Sequence, residues 1–245
     1  MGAQSSTDWS QRGQQLTEVL LVVFGAVLFA AALMGSLKPV IVDAGPVAAG
    51  SNGAAIVGFL LQYAGFAVVV GWYLQVVTDW QLVGWDRPDR RDLGLMAVGI
   101  VVLVGANRAI TRLFSWGDVD VGTNTAVTAG AGDPGYLLAM VVVSLCVVGP
   151  VEELLFRGVV QGRLRESWGV WPAILAATVL FGLSHVSVSG GAAGIAAYIL
   201  TATVLGVLLG YLYERTDTIV VPAVIHGVNN AVIFAGLYLG EIGVL

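Results

Sequence analysis

Long apolar runs separated by short polar segments dominate this sequence. The seven runs occupy residues 18–37, 53–77, 93–114, 136–166, 171–186, 192–213 and 219–239, and the fourth carries a few charged residues. A helix of about 20 apolar residues crosses the hydrocarbon core of a bilayer. The sequence therefore predicts an all-α fold, a polytopic transmembrane helix bundle with about seven spans and a range of six to eight.

The composition also indicates a membrane protein. Charged residues make up 11% of the chain, whereas soluble domains contain about 25%. The net charge of −5 provides no basic stripe, so membrane lipid is an expected partner and nucleic acid is not. The single cysteine, Cys146, cannot form a disulfide within the chain.

The polar and apolar segments predict a simple domain organisation. Residues 1–17 form a polar N-terminal tail, and residues 18–245 form a single transmembrane domain. The candidate catalytic core lies at about residues 136–235 of that domain.

Arginines in alternate loops predict the orientation in the membrane. The loops after spans two, four and six contain Arg87, Arg90, Arg91, Arg163, Arg165 and Arg215. Cytoplasmic loops collect positive charge. We therefore expect a multi-pass protein of the cell membrane with its N-terminus inside and, after seven spans, its C-terminus outside. Arg108 and Arg112 near the outer end of span three do not fit this pattern, and either snorkel outward or face a polar interior.

The fourth run contains two adjacent carboxylates and an arginine in otherwise apolar sequence, Pro150-Val-Glu-Glu-Leu-Leu-Phe-Arg-Gly158. A buried carboxylate costs several kcal/mol unless it is paired, hydrogen-bonded or protonated. On a helix Glu152 and Glu153 are about 100° apart, and Arg157 follows Glu153 by four residues and can pair with it. The pattern predicts a free Glu152 that acts as a base, supported by the pair of Glu153 and Arg157. The alternative is a structural ion pair beside a protonated glutamate.

The positions of both histidines along their helices place them near the level of Glu152 in the membrane. If spans four and five form an antiparallel hairpin that turns near Ser167–Trp171, Glu152 and His185 lie at one level, roughly 25 Å from the turn. His226 and Asn230 are one turn apart on one face of span seven. We therefore expect these four side chains to meet in a shared layer of the bundle.

A glutamate and a histidine together suit the activation of water. Glu152 can take the proton, and His185 can orient the water or share the role of base. His226 and Asn230 can donate hydrogen bonds to a developing oxyanion. This set favours hydrolysis of an acyl bond, with a peptide bond as the leading substrate.

Other catalytic patterns match poorly. The sequence has no H-E-x-x-H and no G-x-S-x-G. Asp133 ends a G-x-G-D string like that of intramembrane aspartyl proteases, but it precedes Pro134 in a polar loop, so we expect a turn or helix-cap residue there. A proton-coupled transporter and a non-catalytic membrane scaffold remain alternative functions, since buried ionisable groups also form proton relays.

The motifs in their order resemble those of the CPBP (CAAX prenyl endopeptidase and bacteriocin-processing, or Abi) family of intramembrane proteases. They are Glu152-Glu153-x-x-x-Arg157-Gly158, Phe181-x-x-x-His185 and His226-x-x-x-Asn230. Gly206-x-x-x-Gly210 resembles the small-residue motif of that family, although Thr203 stands where a phenylalanine is common. That glycine pair fits either a flat helix face beside an active site or ordinary helix packing.

The resemblance implies a role for each matched residue. Glu152 and His185 would activate the attacking water, His226 and Asn230 would form the oxyanion site, and Glu153 with Arg157 would support Glu152. A peptide or a prenylated protein would be the substrate, since some members of the family cleave after a prenylated cysteine and others process peptides.

The resemblance also raises the question of a metal, because the family is often labelled as metalloprotease. A catalytic zinc has three protein ligands in its familiar sites. If a metal were present, Glu152, His185 and His226 would bind it. We favour a glutamate mechanism with no cofactor and keep zinc as the alternative.

Overall fold

A computed structural model describes residues 9–45 and 47–245. Its eight α-helices are α1 Trp9–Ala44, α2 Asn52–Val77, α3 Arg90–Trp116, α4 Thr125–Ala129, α5 Pro134–Trp168, α6 Val170–Leu183, α7 Ala192–Thr216 and α8 Val220–Glu241. This part of the chain contains no β-strand, only two isolated bridges. The predicted all-α polytopic bundle is confirmed.

Six of the described helices are long and apolar enough to cross a membrane, namely α1, α2, α3, α5, α7 and α8. The predicted fifth span is the shorter α6, which ends at Leu183. His185 therefore lies in the turn after α6 and not inside a span as predicted. The helix ends here because the side chains of Ser184 and His185 both contact the carbonyl oxygen of Phe181, and the His185 amide bonds Gly182 instead.

The first helix is longer at both ends than the predicted span. It begins at Trp9, so residues 9–17 of the predicted polar tail are helical, and residues 1–8 lie outside the described residues. The polar extension binds the end of α5 by hydrogen bonds. Arg12 Nε donates to the Ser167 carbonyl at 3.0 Å, and Gln15 Nε2 donates to Glu166 at 3.1 Å. Hydropathy could not reveal a helix that is held by polar contacts.

The polar loop before α5 also ties α2 to α5. Asp133 caps α5 by accepting from the Tyr136 amide at 3.0 Å, which confirms the predicted cap. Asn52, the first residue of α2, donates to the other Asp133 oxygen at 2.7 Å. The hydrogen bonds from Asn52 and Tyr136 hold the pKa of the Asp133 carboxyl below its ordinary value, and the bond from Asn52 has the larger effect.

Helices α5 and α8 are the most buried of the six spanning helices that the structure describes. They cross with their backbones in contact. A Cβ atom on Gly149 of α5 would lie 2.6 Å from the Ala223 carbonyl oxygen and 2.8 Å from the Gly227 nitrogen of α8. This close approach brings Glu152 and Glu153 beside His226.

We expect Gly149→Ala to lower the free energy of unfolding by about 1–3 kcal/mol, because the added methyl meets backbone atoms that can move only if the helices separate. The measurement is unfolding of the purified protein in mixed detergent micelles. Gly71→Ala is the matched control, since no atom lies within 4 Å of a Cβ atom placed on this glycine of α2. Equal stability of the two variants would contradict the proposed contact.

Candidate active site

A cavity of about 570 Å³ lies inside the bundle, and all eight described helices contribute to its lining. Its walls include all four residues that the sequence predicted to meet, Glu152, His185, His226 and Asn230. Glu153 and Arg157 do not line the cavity and are completely buried behind it. The two adjacent glutamates thus face different surroundings, as their angular separation predicts.

Glu153 lies between two partners, the guanidinium of Arg157 and the imidazole of His226. Its Oε2 is 3.1 Å from Arg157 Nε, so the predicted pair forms, and its Oε1 is 2.8 Å from His226 Nδ1. Arg157 also donates from Nη2 to the Gly206 carbonyl at 3.3 Å, and its guanidinium lies 4.9 Å from the centre of the Phe181 ring. A charge this deeply buried needs such partners.

The glycines of α7 make these contacts possible. A Cβ atom on Gly206 would approach Arg157 Nη2 to 3.3 Å, and one on Gly210 would approach Gln161 Oε1 to 2.7 Å. The carbonyl oxygens of both glycines accept hydrogen bonds from α5, from Arg157 and from Gln161 respectively. The motif therefore serves helix packing and supports the site at once.

Helix α5 departs from regular α geometry on both sides of the two glutamates. Ser144–Val148 and Leu154–Gln161 form π-helical turns, and a short α-helical stretch, Gly149–Glu153, separates them. Such turns shift the direction of the side chains that follow and are frequent at functional sites. The sequence predicts a regular α-helix here and does not reveal the π-helical turns.

His226 connects the two glutamates. Because Arg157 holds Glu153 as an acceptor, His226 Nδ1 donates to Glu153, and His226 Nε2 lies 3.7 Å from Glu152 Oε2. The sequence predicted instead that Glu152 faces His185. Within the described part of the chain, no hydrogen bond or ion pair joins those two side chains, although both line the same cavity.

Glu152 is 7% exposed, and its two oxygens differ. Oε1 accepts a hydrogen bond from the Tyr63 hydroxyl at 2.7 Å. Oε2 makes no hydrogen bond to any described residue. One oxygen is thus held by α2, and the other is buried without a hydrogen-bond partner among the described residues.

His185 has a defined tautomer in this arrangement. Its Nδ1 lies 2.8 Å from the Phe181 carbonyl oxygen, which can only accept, so Nδ1 carries the proton. The neutral ring then presents Nε2 as an acceptor. Phe181 and Tyr198 pack on the imidazole, with ring centres 4.9 and 5.6 Å away.

A chain of amides orients Asn230. Asn107 of α3 donates to Asn229 Oδ1 at 3.2 Å, and Asn229 donates to Asn230 Oδ1 at 3.3 Å. Because the Asn230 oxygen accepts this bond, its amide N–H groups remain available as donors toward the cavity.

Sequence reasoning missed two residues that contact this site, Tyr63 and Asn107. Each interrupts an apolar span with a polar side chain, and a polar residue at such a depth is itself a signal of function or of a hydrogen-bonded contact. No site residue was predicted in spans one to three, since the resemblance to a family does not reach them.

The three alternative zinc ligands, Glu152, His185 and His226, all line the cavity. No group of three or more His, Cys, Asp or Glu residues among the described positions could hold a metal ion. Each of the three keeps an atom without a hydrogen bond to any described residue, Oε2 of Glu152 and Nε2 of both histidines, and a histidine that binds zinc through one nitrogen usually donates from the other. A catalytic zinc needs three protein ligands and an open position.

Residues 134–232 match the family model of the Type II CAAX prenyl endopeptidase Rce1-like proteins. Over this segment the match supports the predicted resemblance to the CPBP family. The segment contains Glu152, His185, His226 and Asn230, whereas Tyr63 and Asn107 precede it.

One curated relative is the "Putative membrane peptidase YdiL" of Bacillus subtilis (strain 168). It is 34% identical over 92 residues, which cover 37% of this chain and 34% of that protein. The match thus spans about a third of the relative's length. No solved structure matches the chain significantly.

Proposed function

We propose that this protein is an intramembrane endopeptidase that hydrolyses peptide bonds with water activated by Glu152 and His185. The observation that carries the proposal is that Glu152, His185, His226 and Asn230 all line one cavity. The matches to the CPBP family and to a membrane peptidase support a membrane protease.

The first step of the proposed reaction is attack by water. The Glu152 carboxylate accepts a proton from the water, and Nε2 of His185 orients that water as an acceptor. The water oxygen forms a bond to the carbonyl carbon of the substrate, and the π electrons move to the carbonyl oxygen. The proton on Glu152 then passes to the leaving nitrogen as the C–N bond breaks, which gives a carboxyl and an amine product.

Two donors that also line the cavity, Asn230 and His226, stabilise the oxyanion in this proposal. The amide of Asn230 is turned so that its N–H groups can donate. His226 donates from Nε2 only when both ring nitrogens are protonated, because Nδ1 already donates to Glu153. Glu153, paired with Arg157, fixes the His226 ring through Nδ1.

A peptide embedded in or anchored to the membrane is the proposed substrate, with a prenylated CaaX-type C-terminus as the first candidate. The matching family is that of the Type II CAAX prenyl endopeptidase Rce1-like proteins, whose name refers to such a substrate. The cavity volume falls within the range of about 300–1,000 Å³ that is typical of ligand sites. We propose that the protein lies in the cell membrane with its N-terminus inside and its C-terminus outside.

The test is to incubate the purified protein in lipid vesicles with a farnesylated CaaX peptide, with the same peptide lacking the lipid, and with a peptide library. Mass spectrometry identifies the products. Cleavage of the farnesylated peptide alone would select that substrate class. Binding of a peptide without cleavage of any would contradict the protease and favour a non-catalytic scaffold.

We expect Asn230→Ala to lower kcat by about 10²–10³-fold, because the oxyanion loses a donor. Gln75→Ala is the control, since the amide of this exposed residue of α2 accepts from Trp80 outside the cavity. The rates are measured on the best substrate of the screen, with equal amounts of folded protein. An Asn230→Ala variant that retains full kcat would remove Asn230 from the proposed oxyanion site.

A further inference from the structure

Tyr63 reaches the site from a helix that precedes the family segment. Its ring is 8% exposed, it lines the cavity, and its hydroxyl donates to Glu152 Oε1 at 2.7 Å. This short bond from a neutral donor to a carboxylate is of the charge-assisted kind, which is stronger than a bond between neutral groups.

The position of the Tyr63 ring is fixed independently of Glu152. Phe66, on the next turn of α2, packs edge-on against it with ring centres 5.7 Å apart. The start of α2 is joined to the start of α5 by the hydrogen bond from Asn52 to Asp133. The hydroxyl is thus presented to Glu152 by the fold, as preorganised sites require.

Without Tyr63, the two oxygens of Glu152 would be similar and the carboxyl group would be free to rotate. His226 is the other described side chain that approaches this carboxylate, and it lies 3.7 Å from Oε2. A rotation would bring either oxygen toward the cavity at a different angle. Displacement of a reacting group by about 1 Å lowers rates by about 10²-fold.

We infer that Tyr63 is a positioning residue, which holds Oε1 of Glu152 and thereby fixes the orientation of the carboxylate at the cavity. The inference rests on the proposed function and extends it beyond the family segment. It means that residues 134–232 do not form a complete site, because α2 supplies the contact that orients the base.

The chain offers a matched control on the same helix. Tyr73 also donates its hydroxyl to a glutamate, Glu18, at 2.6 Å, but it does not line the cavity. We expect Tyr63→Phe to lower kcat by about 10-fold to 100-fold with KM within about twofold of the wild-type value. Tyr73→Phe should leave both constants unchanged. A Tyr63→Phe variant with wild-type kcat, or an equal loss in Tyr73→Phe, would overturn the inference.

Infrared spectroscopy supplies a readout that does not depend on cleavage. The carboxylate band of Glu152 is identified as the band that disappears in Glu152→Gln. We expect this band to shift in Tyr63→Phe and to stay in place in Tyr73→Phe. An unshifted band overturns the inference whether or not the protein cleaves a peptide. A shifted band in a protein that cleaves nothing supports the contact while the proposed protease function fails.

Discussion

Glu152→Gln is expected to lower kcat by about 10²–10⁴-fold while the fold stays intact, since a general base contributes rate enhancements of this size. The amide has nearly the same shape as the carboxyl group, and its oxygen can still accept from the Tyr63 hydroxyl. It cannot take a proton from water at neutral pH. Substrate binding should change little, so the loss should fall on kcat and not on KM.

Glu166→Gln provides the comparison, because Glu166 lies on the same helix as Glu152 but its side chain is 44% exposed and pairs with Arg163. It should keep wild-type kcat. Thermal unfolding of both variants, measured in the same micelles, should show that neither has lost its fold. Cleavage that persists in Glu152→Gln at the wild-type rate would end the proposed mechanism.

The sequence was sufficient for features that depend on local spacing. Runs of about 20 apolar residues predict spanning helices directly, because the length of a helix is proportional to its number of residues. The spacing of four residues predicted the pair of Glu153 and Arg157. Distance along an antiparallel hairpin was enough to place Glu152 and His185 on one cavity.

Spacing within a helix does not predict which other helices it contacts. His226 binds Glu153 because α5 and α8 touch at Gly149 and Gly227, and no periodicity within either helix reveals which neighbour it packs against. The same limit hid Tyr63 on α2, whose target lies 89 residues away in the chain.

The prediction of helix ends has a second limit, because side chains can bond backbone carbonyl oxygens in place of backbone amides. The end of α6 depends on the contacts of Ser184 and His185 with the Phe181 carbonyl, whereas hydropathy continues through Val186. The π-helical turns of α5 are equally invisible to an apolar pattern, which is compatible with either geometry.

Arg157→Met is expected to lower the free energy of unfolding by about 3–5 kcal/mol, the range measured when one partner of a buried ion pair is removed. Arg157 and Glu153 are both completely buried. The substitution would leave the Glu153 carboxylate with His226 as its remaining described partner and would remove the donor to the Gly206 carbonyl. Unfolding by a denaturing detergent in mixed micelles measures the change.

Arg163→Met tests whether the burial of Arg157 is the cause of the expected loss of stability in Arg157→Met. Arg163 pairs with Glu18 at 3.0 Å, but its side chain is 28% exposed. Pairs in contact with solvent contribute about 0.2–1 kcal/mol. A loss in Arg163→Met as large as that in Arg157→Met would show that removing any arginine of α5 is equally harmful.

The double variant Glu153→Gln with Arg157→Met separates charge from packing. It removes both ions, so no uncompensated carboxylate remains, and replacing a buried pair together is often nearly neutral. The glutamine oxygen can still accept from His226 Nδ1. We therefore expect the double variant to be more stable than Arg157→Met alone. If it is equally unstable, Arg157 stabilises the bundle through its contacts with Phe181 and Gly206, and the unpaired charge of Glu153 is not the cause.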